Sequence, residues 1–193
     1  PDNQVLCVGP YEATRNLKRI LDAFYLFVNR LGTQRRDDWD GRNPNQLWHS
    51  GDFTLKLCGE GAGEAFLRDY AESQQLEDQV EFADWVPNEE YHTALSSSLA
   101  VLDVPLAGGG SSLVYHGLSL GVPAVHTHFH RGLDSFLENS PLSHKTSSTD
   151  ADEIANKLLR AVQTPTSERQ PNDNLKQALS VESGARRFLD DLL

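Results

Sequence analysis

Five short apolar runs, each followed by a turn and then a helical stretch, constrain this chain more than any other feature. They are Val5–Val8, Phe53–Cys58, Val80–Phe82, Leu99–Val104 and Pro123–His126. A strand that is apolar along its whole length has no solvated face, so it belongs in a parallel sheet covered on both sides. Between the strands, Leu17, Ile20, Leu21, Phe24, Phe27, Val28 and Leu31 recur at three- and four-residue steps and predict a helix, with Thr14 as its cap and Gly32 as its stop. Further helices are expected over about 62–74, from Asn88, over 112–120, 131–138 and 150–162, and over 172–193 at the C-terminus. Strand–helix alternation with right-handed crossovers gives an α/β, doubly wound, Rossmann-like parallel sheet in one domain spanning residues 1–193. Residues 33–52 have no period and read as a long polar loop with a role of its own or high mobility.

Composition narrows the function. Lys plus Arg number 17 against 28 Asp plus Glu, a net charge of −11, which argues against nucleic acid and anionic membrane as partners. No apolar run approaches the ~18 residues needed to cross a bilayer. Cys7 and Cys58 sit inside apolar runs and read as buried, reduced thiols, which points to a cytoplasmic location. The absence of Met and a start at Pro1, just before a strand, suggest a fragment of a larger protein.

In doubly wound sheets ligands bind where the strands end. The strongest signal there is Ala107–Leu113, AGGGSSL, between a strand and a helix. Gly108, Gly109 and Gly110 allow close backbone approach. Ser111, Ser112 and Leu113 open a helix whose free N–H groups suit a phosphate or diphosphate. The spacing is neither a P-loop nor GxGxxG. Gly9 and Arg15 form a second candidate. A cation at a helix start is unfavourable unless an anion faces it, so Arg15 is expected to serve ligand affinity and not folding. Gly59-Glu60-Gly61 is a weaker candidate of the same kind. His116, His126, His128 and His130 lack cysteines or carboxylates at ligand spacing and read as pocket-lining side chains, not zinc ligands. The strand-end loops hold no carboxylate pair, so neither a metal nor another cofactor is expected.

Four stretches, in order, resemble the C-terminal, donor-binding domain of GT-B fold glycosyltransferases, nearest to the large retaining family 4. They are VLCVGPYEATRNLKRILDAF, the section from LKLCGEGAGEAFL to LDVPL, LVYHGLSLGVPAV and DADEIANKLLRAV. LDVPLAGGGSSL also resembles the matching loop of O-GlcNAc transferases, which are inverting enzymes. The resemblance implies the C-terminal half of a GT-B architecture, with a nucleoside-diphosphate sugar as substrate and UDP a leading nucleotide. The acceptor-binding N-terminal domain of the parent would be its partner. Gly9, Arg15 and the amides of Gly109–Leu113 would then hold the diphosphate, the backbone near Val86 would read the base, and His116 would face the ribose. Arg15 would stabilise the departing diphosphate, giving metal-independent sugar transfer by the parent and an inactive fragment. The family's two glutamates fall at Gly108 and His116, which leaves open a degenerate, non-catalytic binding or assembly domain. A nucleotide-sugar epimerase of the same architecture is a further alternative.

Overall fold

The computed structural model describes residues 3–33, 52–85, 88–106, 112–127, 134–147 and 149–180. Six strands form one sheet in the order β3-β2-β1-β4-β5-β6, with every pairing parallel. They are β1 (Gln4–Val8), β2 (Thr54–Cys58), β3 (Val80–Ala83), β4 (Ala100–Asp103), β5 (Ala124–His126) and β6 (Ser143–Lys145). The helices are α1 (Leu17–Thr33), α2 (Glu64–Ser73), α3 (Asn88–Ser97), α4 (Ser112–Ser119), α5 (Asp134–Glu138), α6 (Ala151–Gln163) and α7 (Asp173–Leu179). This is the doubly wound α/β fold expected from the strands.

Alternate residues of the inner strands feed opposite cores. Val5 and Cys7 of β1 join Leu55, Leu57 and Leu102 beneath α1, α2 and α6. Leu6 of β1 joins Cys58, Val101 and Ala124 on the other face, beneath α3, α4 and α7. All seven apolar positions read as the inner stripe of α1 are buried. Phe27 packs edge-on against Phe53, with ring centroids 5.1 Å apart, which joins the helix to the start of β2.

The differences from the sequence expectation lie at element ends and in one added strand. Thr14 does not cap α1: it lies in a 3₁₀ turn over Ala13–Arg15, and Asn16, at φ 61°, ends that turn. The Asn16 carbonyl then accepts from the Ile20 amide at 3.1 Å, and α1 starts at Leu17. A left-handed junction suits Asn, whose short polar side chain bonds locally; here its Nδ2 donates to the Val104 carbonyl at 3.1 Å. The helix continues past Gly32 to Thr33. Strand β6, of sequence SHK, is additional to the expected strands and has no buried residue. The helix expected over 172–193 ends at Leu179 with Ser180 extended, and residues 181–193 lie outside the described residues. Most of the polar loop over 33–52, including Trp39 and Trp48, also lies outside them.

One polar side chain holds the edge opposite the strand ends. Arg169 donates to four main-chain carbonyls: Thr164 at 3.0 Å, Leu99 at 2.8 Å, Ala161 at 3.2 Å and Val162 at 3.1 Å. It therefore caps the C-terminus of α6 and ties it to the residue before β4. Gly121, at φ 80°, lies against this segment, and a Cβ there would stand 2.7 Å from the Arg169 carbonyl oxygen. His144 of β6 is depressed to about 4, first by burial and then by the charges of Lys157, Arg160 and Arg169.

Both features give expected outcomes. Arg169→Met strands carbonyls at a packed helix end, and charged hydrogen bonds of this kind are worth ~1.5–3 kcal/mol each at most. A net loss of about 2–4 kcal/mol should lower Tm by roughly 5–12 °C in a scanning calorimeter. For His144 the folded state binds its proton less readily than the unfolded state, whose ordinary value is 6.5. Stability from this group is fully present above that value and is lost as pH falls toward 4. Urea denaturation at the two ends of that range should show a His144-dependent difference in stability of up to about 3 kcal/mol, absent in His144→Gln.

Candidate functional site

The strand order reverses between β1 and β4, so the crevice beyond Val8 and Asp103 is the topological switch point. The loops leaving β1, β2 and β3 are stitched together by main-chain bonds. The Gly9 amide donates to Cys58 O at 3.0 Å, Tyr11 N to Glu60 O at 2.9 Å, Gly63 N to Tyr11 O at 3.1 Å and Gly59 N to Ala83 O at 2.9 Å. The Tyr11 hydroxyl closes the same seam, donating toward Leu57 O at 2.8 Å and Ala83 O at 3.2 Å. Burial pushes the Tyr11 phenol well up, so it stays a neutral donor.

This stitching explains the glycines. A Cβ at Gly59 would lie 2.1 Å from the Gly9 carbonyl oxygen, and one at Gly61 would lie 2.9 Å from both the nitrogen and the oxygen of Tyr11. Their missing side chains are replaced by neighbouring backbone, so these two glycines shape the crevice wall. At Gly9 the space is filled by a side chain: a Cβ would stand 2.8 Å from Arg15 Nε and 3.1 Å from Nη2.

Arg15 is thus brought to the switch point, against Gly9. Its Nη2 donates to Asp103 Oδ1 at 2.6 Å and, at 3.4 Å, to the Val8 carbonyl. The pair is secluded, with side-chain exposures of 14% for Arg15 and 3% for Asp103. Sequence reading left Arg15 out of folding; the ion pair puts it in. Asp103 itself was missed. Its signal was a lone charge inside an otherwise apolar strand, and its partner is 88 positions away.

The exit of β4 is pinned to the same loop, Leu106 N donating to Thr14 O at 2.9 Å. Ser112 opens α4 and is exposed, and Leu113 is buried beneath it. Val86, Gly108, Gly109, Gly110 and Ser111 lie outside the described residues, as do His128 and His130. His116 lies on the partly exposed side of α4, facing α3, with ring centroids 5.8 Å from Tyr91 and 6.4 Å from His92. Burial, then the His92 charge, lowers its pKa, so the ring is neutral near pH 7. Its Nδ1 is buried without a hydrogen-bond partner among the described residues. His126 belongs to the fold instead: it is buried, and its Nε2 lies 2.9 Å from Ser143 Oγ of β6. Among the described residues no group of three or more His, Cys, Asp or Glu could hold a metal ion. The carboxylates of Asp150 and Asp152 are occupied at the start of α6, one accepting from the Glu153 amide and the other paired with Arg30.

The model of the family described as glycosyl transferases group 1 matches residues 1–178. The chain belongs to that family. Solved structures agree on the fold. TarM of S. aureus, solved as its G117R mutant with fondaparinux, alpha-GlcNAc-glycerol and UDP, superposes with a TM-score of 0.71 at 15% identity, covering 98% of this chain and 35% of that one. The alpha,alpha-trehalose-phosphate synthase of Burkholderia xenovorans gives 0.70 at 13% identity, over 98% of this chain and 43% of that one. The C-terminal domain of the group 1 glycosyl transferase LpcC from Francisella tularensis gives 0.61 at 13% identity, over 86% and 77%. The chain thus spans about a third of TarM and has the fold of the C-terminal half of a GT-B architecture. No curated protein matches it. No helix among the described residues is long and apolar enough to cross a membrane.

For this group 1 domain, Arg15→Met should leave the Asp103 charge secluded without its cation. Breaking a buried pair from one side costs about 3–5 kcal/mol, and the partial exposure of Arg15 reduces this to about 2–4 kcal/mol. Calorimetry should record a Tm lower by roughly 5–12 °C, with part of the loss recovered in the Arg15→Met, Asp103→Asn double variant.

Proposed function

We propose that this chain is the donor-binding domain of a glycosyltransferase that moves a sugar from a nucleoside-diphosphate sugar to an acceptor without a metal ion. The observation that carries the reading is Arg15, held against Gly9 at the switch point of a group 1 glycosyl transferase fold. TarM, which shares the fold, is solved with UDP. Arg15, Gly9 and the backbone of residues 109–113 hold the diphosphate. Gly59 and Gly61 shape the wall, the backbone near Val86 meets the base, and His116, neutral and with Nδ1 unspent, faces the ribose hydroxyls.

The chemistry is departure of a diphosphate from an oxocarbenium-like sugar. A positioned guanidinium and helix-terminal amides stabilise charge as it develops on the leaving group, and they need no reorganisation to do so. The acceptor is bound by an N-terminal domain of the parent, so this stretch alone turns nothing over. The reduced thiols favour a cytoplasmic location. A second reading, a binding or assembly domain without catalysis, is favoured by one observation: His116 and Gly108 stand where the resembling family has glutamates.

Calorimetric titration with UDP and GDP tests the proposal. UDP or GDP should bind with the same affinity in EDTA and in magnesium, since arginine and main-chain amides supply the contacts. Binding that appears only with magnesium would overturn the metal-free site. Sugar transfer from the bound nucleotide sugar by the longer parent separates the enzyme from the binding domain.

A further inference from the structure

Arg15 is placed for an anion but is not presented to one. A guanidinium grips a phosphate with two parallel N–H bonds, from either its Nε–Nη2 edge or its Nη1–Nη2 edge. Both edges include Nη2. In this structure Nη2 is engaged by Asp103 Oδ1 at 2.6 Å and by the Val8 carbonyl at 3.4 Å. The Nε end of the other edge is buried against Gly9 and has no hydrogen-bond partner among the described residues. A side chain that is 14% exposed, with its shared donor committed, can offer a ligand only its remaining corner.

We infer that Asp103 is a latch on Arg15: a diphosphate gains its two-pronged grip only by taking Nη2 from the Asp103 carboxylate, so Asp103 sets donor affinity by competing for the same cation. This rests on the reading of Arg15 as the diphosphate-binding group. The electrostatics agree with it. Arginine and aspartate together carry no net charge, so the strand ends of a chain with a net charge of −11 do not attract an anion through this pair until it is broken. The latch also holds Arg15 folded in at the switch point without ligand, where a bare cation preceding a helix start would be unfavourable. Asp103 is suited to this work because its backbone is fixed. It lies in β4, paired with His126 of β5, and its carbonyl accepts from Thr127 N at 3.3 Å. The movable partner is therefore Arg15, in its short 3₁₀ turn.

The test is a double-mutant cycle read by UDP titration of the full 193-residue chain, with inorganic pyrophosphate and uridine as the phosphate-only and phosphate-free probes. Asp103→Asn keeps the shape and the acceptor oxygen but removes the charge. It should tighten UDP and pyrophosphate by roughly three- to tenfold, about 0.7–1.4 kcal/mol, because a neutral amide holds the Arg15 guanidinium less strongly than the carboxylate does, and leave uridine unchanged. In an Arg15→Gln background the same substitution should bring no gain, because there is no cation left to release. Unchanged or weaker UDP binding by Asp103→Asn overturns the latch and makes Asp103 an orienting group. A gain that persists with Arg15→Gln also overturns it, in favour of plain repulsion between Asp103 and the ligand. If neither the unaltered chain nor Asp103→Asn binds UDP or pyrophosphate, the donor-site reading fails and the latch with it. Should Asp103→Asn not fold, nitrogen-15 signals of the Arg15 guanidinium in the unaltered chain decide: addition of UDP must shift the Nη2 signal, and a signal left in place by bound UDP overturns the proposal.

Discussion

A sheet made only of parallel strands has no face to give to water, and this requirement organises the chain. Neighbouring residues of β1 must serve different cores: Val5 and Cys7 meet α1 and α6, while Leu6 meets α4. An unpartnered charge is costly inside such strands, so chemistry is displaced to the loops where strands end. Asp103 shows how a secluded charge is kept there. It is a charge within β4, 3% exposed, and it is tolerated because Arg15 reaches it from the first crossover. The crevice is therefore a by-product of how the sheet is covered, and among the described residues one side chain from each half of the doubly wound topology meets there.

What was legible in the sequence follows from the range of the interactions involved. α1 and β1 could be read because their signals, three- and four-residue apolar steps and an unbroken apolar run, are local. β6 could not, because three residues at a sheet edge, Ser143–Lys145, have no periodicity to detect and owe their conformation to pairing with β5. The position of the crevice was legible from topology alone, since parallel strands place their C-terminal loops together. The contents were less so. Gly59 and Gly61 look the same in a sequence whether a ligand or a backbone comes close; here the Gly9 carbonyl and Tyr11 come close. The pairing of Arg15 with Asp103 was not legible for the same reason, because partners separated by 88 positions leave no local trace. Asn16 shows the limit at finer scale: one left-handed residue moves the start of α1 from the neighbourhood of Thr14 to Leu17.

Most of the specific bonds that shape the crevice run to main-chain atoms. Tyr11, Asn16 and the amides of Gly9 and Gly59 all end on carbonyl oxygens. The amide-to-carbonyl bonds of Gly9 and Gly59 keep their geometry when side chains change, which is consistent with a shared fold at 13–15% identity to TarM and the trehalose-phosphate synthase.

The two cysteines carry a practical consequence of the two-sided sheet. Cys7 and Cys58 lie on adjacent strands but point into different cores, so they are not disposed to form a disulfide with each other. Burial raises Cys58 to about 11 and Cys7 further still, so neither thiol is ionised near neutrality. A thiol-directed reagent therefore meets no ready nucleophile at either position until the packing above it opens. Each cysteine is a built-in probe for one helical layer, Cys7 for the α1–α6 side and Cys58 for the α3–α4 side. The two labelling rates would show whether the layers come away together or one at a time.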